Sequence, residues 1–158
     1  MESKMFDYIC ETPAALTGII SRRKEITKDF VRRFKDVGIE QIYVIGSGTS
    51  YHAGLAAKLY LEELLGIKVF NMYPTQFARE EKVFNKNTLV IGMSQGGQSL
   101  STVEGLDSAR ERGLHTAACP KTPRPLYLNT PTHPLRLRWE MKNAGQRPRA
   151  TREPPLPS

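Results

Sequence analysis

The sequence has few cysteines, no long apolar runs, few acidic residues past position 119 and few prolines before it. Cys10 and Cys119 are the only cysteines in 158 residues, which implies neither a disulfide framework nor a cysteine-based metal site. No stretch approaches the roughly 18 consecutive apolar residues of a membrane-spanning helix. The N-terminal stretch carries Glu2, Asp7 and Glu11 and lacks the basic-then-apolar build of a secretory signal, so a cytoplasmic location is expected. The length fits one domain rather than two.

What is present is unevenly distributed. Residues 1–119 hold 15 Lys and Arg against 14 Asp and Glu, whereas residues 120–158 hold 8 against 2, so most of the net charge of +7 belongs to the last quarter. Proline divides the same way: Pro13 and Pro74 precede residue 120, and the other 9 of the 11 follow. So proline-dense a segment cannot propagate a helix or a central strand. Three parts are expected: an N-terminal helical segment over 1–40, a folded unit over 41–118, and a basic, Pro/Arg-rich, disordered tail over 119–158.

Thr12-Pro13 reads as a helix start, a hydroxyl cap followed by a residue whose missing N–H costs nothing at the first position. Leu16, Ile19, Ile20, Ile26, Phe30 and Phe34 then recur at helical spacing, predicting one amphipathic helix that ends near Gly38. Ile42–Ile45 is a short, mostly β-branched run that reads as a buried strand. After a glycine-rich loop, Ala53, Ala57, Leu61, Leu64 and Leu65 give a second helix, closed by Gly66. The alternation continues with a strand over 67–70, a short helix over 74–82, a strand over 89–91, a helix over 99–112 and a strand from Leu114 to Ala118. Strands alternating with helices predict an α/β fold, a doubly wound parallel sheet in three layers that is incomplete at its C-terminal side.

In such sheets ligands bind beyond the carboxyl ends of the strands. Two polar loops fall at that edge. Ile45-Gly46-Ser47-Gly48-Thr49-Ser50 combines two glycines with three hydroxyls before a helix N-terminus, the makings of a phosphate site without a lysine. Met93-Ser94-Gln95-Gly96-Gly97-Gln98-Ser99 repeats the design with two amides added. Uncharged donors and acceptors at both loops suit a phosphorylated sugar. A dinucleotide fingerprint would need glycine where Tyr51 stands, and a P-loop would need Gly-Lys-Ser/Thr. Either loop alone could simply turn the chain and cap a helix; two in equivalent places point to a ligand.

The stretch from Ile42 to Ala117 resembles the first part of a sugar-isomerase (SIS) domain, most closely the isomerase half of glutamine:fructose-6-phosphate aminotransferases and the related fructosamine-6-phosphate deglycases. The resemblance rests on Gly46-Ser47-Gly48-Thr49-Ser50-Tyr51-His52-Ala53, on Ser94-Gln95-Gly96-Gly97-Gln98-Ser99 and on their spacing. It implies a sugar 6-phosphate ligand held by Ser47, Gly48, Thr49, Ser50, Ser94, Gln95, Gly96, Gln98 and Ser99, with no cofactor and no metal. A homodimer formed through the SIS fold is a further implication. Where the aminotransferases usually read Ser-Gln-Ser-Gly-Glu-Thr, Gly96 removes a hydroxyl and Gln98 replaces an acid, which favours a deglycase-like or other branch over the aminotransferases proper. Glu2 stands where the aminotransferases carry their cysteine nucleophile, so glutamine-dependent amination is not expected.

Isomerisation also needs a base to move a proton between adjacent carbons, and the family supplies it from segments beyond the matching part. His52, Glu80, Glu81 and Glu104 read as packing or solvated helix residues, leaving no catalytic residue to assign. A chain that binds without turnover, or a non-catalytic sugar-phosphate sensor, is therefore expected. The tail does not resemble the family. Trp139 and Met141 have unique codons, and reading such codons two bases later yields a peptide resembling the family's continuation, so a one-base slip after about residue 118 is expected to have truncated the domain. As an alternative, a nucleic-acid-binding arm would have Tyr127 and Trp139 as its aromatics, and nine scattered prolines without a repeat argue against it.

Overall fold

A computed structural model describes residues 4–120 and 135–136. Two helices, α1 (Lys4–Ser21) and α2 (Arg23–Phe34), lead into β1 (Gln41–Gly46), α3 (Thr49–Leu65), β2 (Lys68–Met72), α4 (Pro74–Glu80), β3 (Thr88–Ser94), α5 (Leu100–Glu111), β4 (His115–Pro120) and β5 (Leu135–Arg136). The strands form one sheet in the order β2-β1-β3-β4-β5, every pair parallel. This is the expected α/β architecture.

β1 sits between β2 and β3 and is buried along its whole length, which is why Ile42-Tyr43-Val44-Ile45 reads as a continuous apolar run rather than an alternating one. Its side chains divide between the two faces. Tyr43 and Ile45 join Val90, Phe77, Leu106 and Ala109 beneath α4 and α5. Ile42 and Val44 join Val69, Leu89, Leu61 and Phe34 beneath α2 and α3. Small residues let the helices lie close: a Cβ on Gly54 of α3 would come within 2.8 Å of Val44 Cγ1, and one on Gly105 of α5 within 2.8 Å of Ile45 Cδ1.

The N-terminal segment differs from its sequence reading. α1 starts at Lys4, runs through Pro13 and breaks at Arg22, where α2 begins. Thr12 does not cap; its hydroxyl donates back to the Tyr8 carbonyl at 2.8 Å. Pro13 forfeits one helix bond, the one its N–H would have given to Ile9, and Ile9 is exposed, so solvent can take that carbonyl. The apolar residues of α1, among them Met5, Phe6, Ile9, Leu16 and Ile20, are exposed. Within the segment expected to be a disordered tail, β4 runs to Pro120 and β5 adds two residues beside β4 (Ala117 opposite Leu135, Ala118 opposite Arg136). The rest of 119–158 lies outside the described residues.

Candidate functional site

The strand order reverses between β1 and β3: the chain leaves β1 for β2 on one side, and β3 for β4 on the other. The loops that follow β1 and β3 therefore separate above the sheet and leave a crevice, the usual ligand position in this class of fold. Both hydroxyl-rich loops lie here. Gly46, at the end of β1, draws them together. A Cβ there would meet Ser50 Cβ at 3.0 Å and the Met93 carbonyl oxygen at 3.2 Å, so the first turn of α3 and the end of β3 close on a space that only glycine leaves free.

In the first loop Ser47, Gly48 and Thr49 are exposed and Ser50 is half-buried, with Thr49 and Ser50 already in the first turn of α3. Gly48 is the N-cap, with φ 58° and ψ −127°, a conformation that strongly favours glycine. With no side chain at the cap, no side-chain oxygen caps this 17-residue helix, and the Ser50 N–H donates instead to the Ser47 carbonyl at 3.2 Å. The Tyr51 carbonyl accepts from Asn71 Nδ2 at 3.1 Å, tying this turn to β2, and the Tyr51 ring stacks on Tyr73 with centroids 4.4 Å apart.

In the second loop Ser94 is buried and its carbonyl accepts from the Gly97 N–H at 3.2 Å, while Gln95, Gly96 and Gln98 are exposed. Ser99 caps α5, its Oγ accepting from the Thr102 N–H at 3.4 Å and from Thr102 Oγ1 at 3.0 Å. Ser101 Oγ lies 3.1 Å from Ser99 Oγ and 3.5 Å from Ser47 Oγ, and through it the two loops meet. Ser101 escaped the sequence reading, although it stands in the run Ser99-Leu100-Ser101-Thr102, whose hydroxyl density was visible.

None of the nine expected ligand residues is charged, so the attraction on offer is that of hydroxyls, amides and two helix N-termini. His52, one position beyond Tyr51, is exposed and sets its ring edge-on to Tyr51 at 5.6 Å. Cys119, at the end of β4, has its thiol pushed up by burial, which disfavours the thiolate a nucleophile needs. Tyr43 and Glu62 are displaced inside the fold: burial first, then the Glu81 carboxylate, raise Tyr43, and the Val69 N–H holds Glu62 down. Among the described residues no cluster of three or more His, Cys, Asp and Glu could hold a metal ion, and no helix is long and apolar enough to cross a membrane. Two clefts of about 560 and 540 Å³ lie elsewhere, one where Lys82–Lys86 meets Arg112–Leu114 and one between α4 and α5. Neither is lined by any of the nine residues.

Residues 38–146 match the model of the SIS domain. The match runs past residue 118, where the sequence reading ended the resemblance, and takes in β5. A crystal structure described as a phosphosugar isomerase from Clostridium difficile 630 is 34% identical, with a TM-score of 0.72, over 85% of this chain and 38% of that one. A structure described as a sugar binding protein from Salmonella typhimurium LT2 is 30% identical, with a TM-score of 0.66, over 77% of this chain and 38% of that one. The glutamine–fructose-6-phosphate aminotransferase (isomerizing) of Fusobacterium nucleatum is 36% identical over 80 residues, 51% of this chain and 13% of that enzyme. That of Clostridium perfringens is 30% identical over 123 residues, 74% of this chain and 20% of that enzyme. The chain thus spans a fifth or less of these two aminotransferases and 38% of the two structures.

Proposed function

The chain belongs to the SIS-domain family, and on that premise we propose that it binds a sugar 6-phosphate in the crevice between the β1 and β3 loops. The observation that carries this reading is the convergence of the two loops at the reversal of strand order, with Ser47 and Ser101 within 3.5 Å of each other. Helix N-termini and hydroxyls favour an anion without demanding a fixed counter-charge. The remaining loop amides and hydroxyls suit the sugar's own hydroxyls, which both donate and accept.

The proposed activity is binding without turnover. Moving a proton between adjacent sugar carbons needs a base within hydrogen-bond reach of the substrate, and the nine residues proposed to hold the ligand include no acid and no histidine. The location proposed is cytoplasmic, where sugar phosphates are made and consumed. The proposed assembly is a homodimer formed through the SIS fold. Light scattering on the purified chain tests the assembly: a single species of twice the chain mass supports it, and a monodisperse monomer refutes it.

Ligand binding is tested by thermal unfolding with fructose 6-phosphate. Ligand at about a hundred times its Kd adds about 2.7 kcal/mol of stability, which raises the midpoint of a domain this size by several degrees. Protection without appearance of glucose 6-phosphate or of a deglycated product supports binding without turnover. Product formation overturns the inactive reading, and an unmoved midpoint overturns the site.

A further inference from the structure

We propose that Asn71 of β2 is a positioning residue for the β1 loop, held at a cost in stability because it fixes the backbone that carries Thr49 and Ser50. The inference rests on the phosphosugar reading of the crevice and adds to it a residue from outside both loops.

The packing at this position calls for an apolar side chain. Asn71 stands opposite Val44 in the parallel pairing of β2 with β1, and Val69, two residues earlier and so on the same side of the strand, is buried. That side of the sheet packs Ile42, Val44, Val69 and Leu89 together beneath α2 and α3. Asparagine is also a poor strand former. Its Oδ1 is buried with no hydrogen-bond partner among the described residues, a state that costs stability and is rare in native proteins. The helix above yields to it as well. A Cβ on Gly54 would lie against the Asn71 amide, 3.3 Å from its Cγ, and 2.8 Å from Val44 Cγ1, so a glycine that weakens α3 makes the room. Local choices that oppose the fold in this way are expected where a site needs them. What they secure here is one bond: Asn71 Nδ2 donates to the Tyr51 carbonyl at 3.1 Å, next to Ser50. Tyr73, two residues further along, grips the same residue by its ring, with planes 1° apart. The loop needs an outside tie. It contains Gly46 and Gly48, and its own turn is closed by two bonds of 3.2 Å, Ser50 N–H to the Ser47 carbonyl and His52 N–H to the Gly48 carbonyl. A glycine-rich loop left loose must be ordered by its ligand, which weakens binding, whereas a tie already in place removes that penalty.

Urea unfolding and titration calorimetry with fructose 6-phosphate, both on the full chain, separate the two effects. Asn71→Val supplies the strand former that the packing calls for and removes the donor. Its unliganded urea midpoint is expected to equal or exceed that of the wild type, while its affinity falls about three- to tenfold, the change that loss of one neutral hydrogen bond brings. Asn71→Ser, smaller than asparagine and one bond shorter in reach, is expected to lose affinity to the same extent. In both variants the unliganded backbone amides over residues 49–55 should exchange with solvent faster than in the wild type. A residue that served the scaffold alone would lower the midpoint and leave the affinity of the folded protein unchanged. An Asn71→Val chain that is less stable than the wild type, or that does not fold, therefore overturns the inference, as does wild-type affinity in either variant or unchanged exchange. Each of these results leaves the phosphosugar site standing. No binding by the wild type overturns the site itself, and the inference with it.

Discussion

Gly46→Ala probes the link between the fold and the proposed site most directly, because one methyl group would touch both loops at once. Built on the observed backbone, the new Cβ would lie 3.0 Å from Ser50 Cβ, 3.2 Å from the Ser50 carbonyl carbon and 3.2 Å from the Met93 carbonyl oxygen. Two of these three atoms are backbone, one in the first turn of α3 and one near the end of β3, so no side chain can swing aside to make room. The gap must open by a few tenths of an ångström on both sides. Inserting a methyl into a packed site of this kind costs about 1–3 kcal/mol, and each kcal/mol lowers the midpoint of a domain of roughly 100 residues by about 4–8 °C. The same opening separates the β1 loop from the β3 loop, so affinity for fructose 6-phosphate should fall along with stability. Gly18→Ala is the control. It lies within α1, a Cβ there meets nothing within 4 Å, and better helix propensity should stabilise by about 0.5–1 kcal/mol. Urea unfolding and titration calorimetry on the two variants give the answer. If Gly46→Ala unfolds within about 0.5 kcal/mol of the wild type and binds equally well, well below the overpacking cost, the two loops are not held together by close packing at β1 and the reasoning fails.

Two further predictions concern the scaffold. Glu62 accepts the Val69 N–H at 3.1 Å and pairs with Lys58 at 3.1 Å, and its carboxyl is held below its ordinary value, first by the Val69 N–H. A depressed carboxyl means that the unfolded chain binds the proton more readily, so this stabilisation is fully present above the ordinary carboxylate value and is lost as the pH falls below it and through the lowered folded value. Glu62→Gln keeps an acceptor for Val69 but cannot titrate; the gap between variant and wild type in urea midpoint should narrow on going from pH 7 to pH 3, and a gap constant with pH would contradict the assignment. Leu106 is fully buried in α5 beneath Tyr43, Ile45 and Phe77. Leu106→Ala should cost about 2–5 kcal/mol in denaturant unfolding, and a loss below 1 kcal/mol would show that α5 is not docked there.

Element type was legible in the sequence wherever one physical cause decides it. A buried parallel strand needs apolar residues on both faces, and Ile42–Ile45 announces β1 for that reason. Pro74 begins α4, and Gly66 ends α3 with φ 66°, because proline fits a first helical position and glycine a left-handed cap. The N-terminal helix was misread at Thr12-Pro13 because a cap and an interior position present the same two residues, and whether a helix precedes them depends on whether the lost bond can be left to solvent. The short strand Leu135–Arg136 was not legible, because its parallel pairing with β4 is a long-range contact and the composition around it changes near Cys119.

For the proposed site the division is similar. Local chemistry decided that two loops rich in glycine, hydroxyls and amides would each precede a helix, since glycine frees the backbone and hydroxyls cap. Only the tertiary structure decided that they meet. Strand order puts β1 beside β3, the absent side chain of Gly46 lets α3 and β3 close together, and Ser101, inconspicuous in the sequence, comes to stand between Ser99 and Ser47. Spacing along a chain records which residues share an element, whereas the approach of the Ser47 and Ser101 hydroxyls, 54 residues apart, is set by the fold.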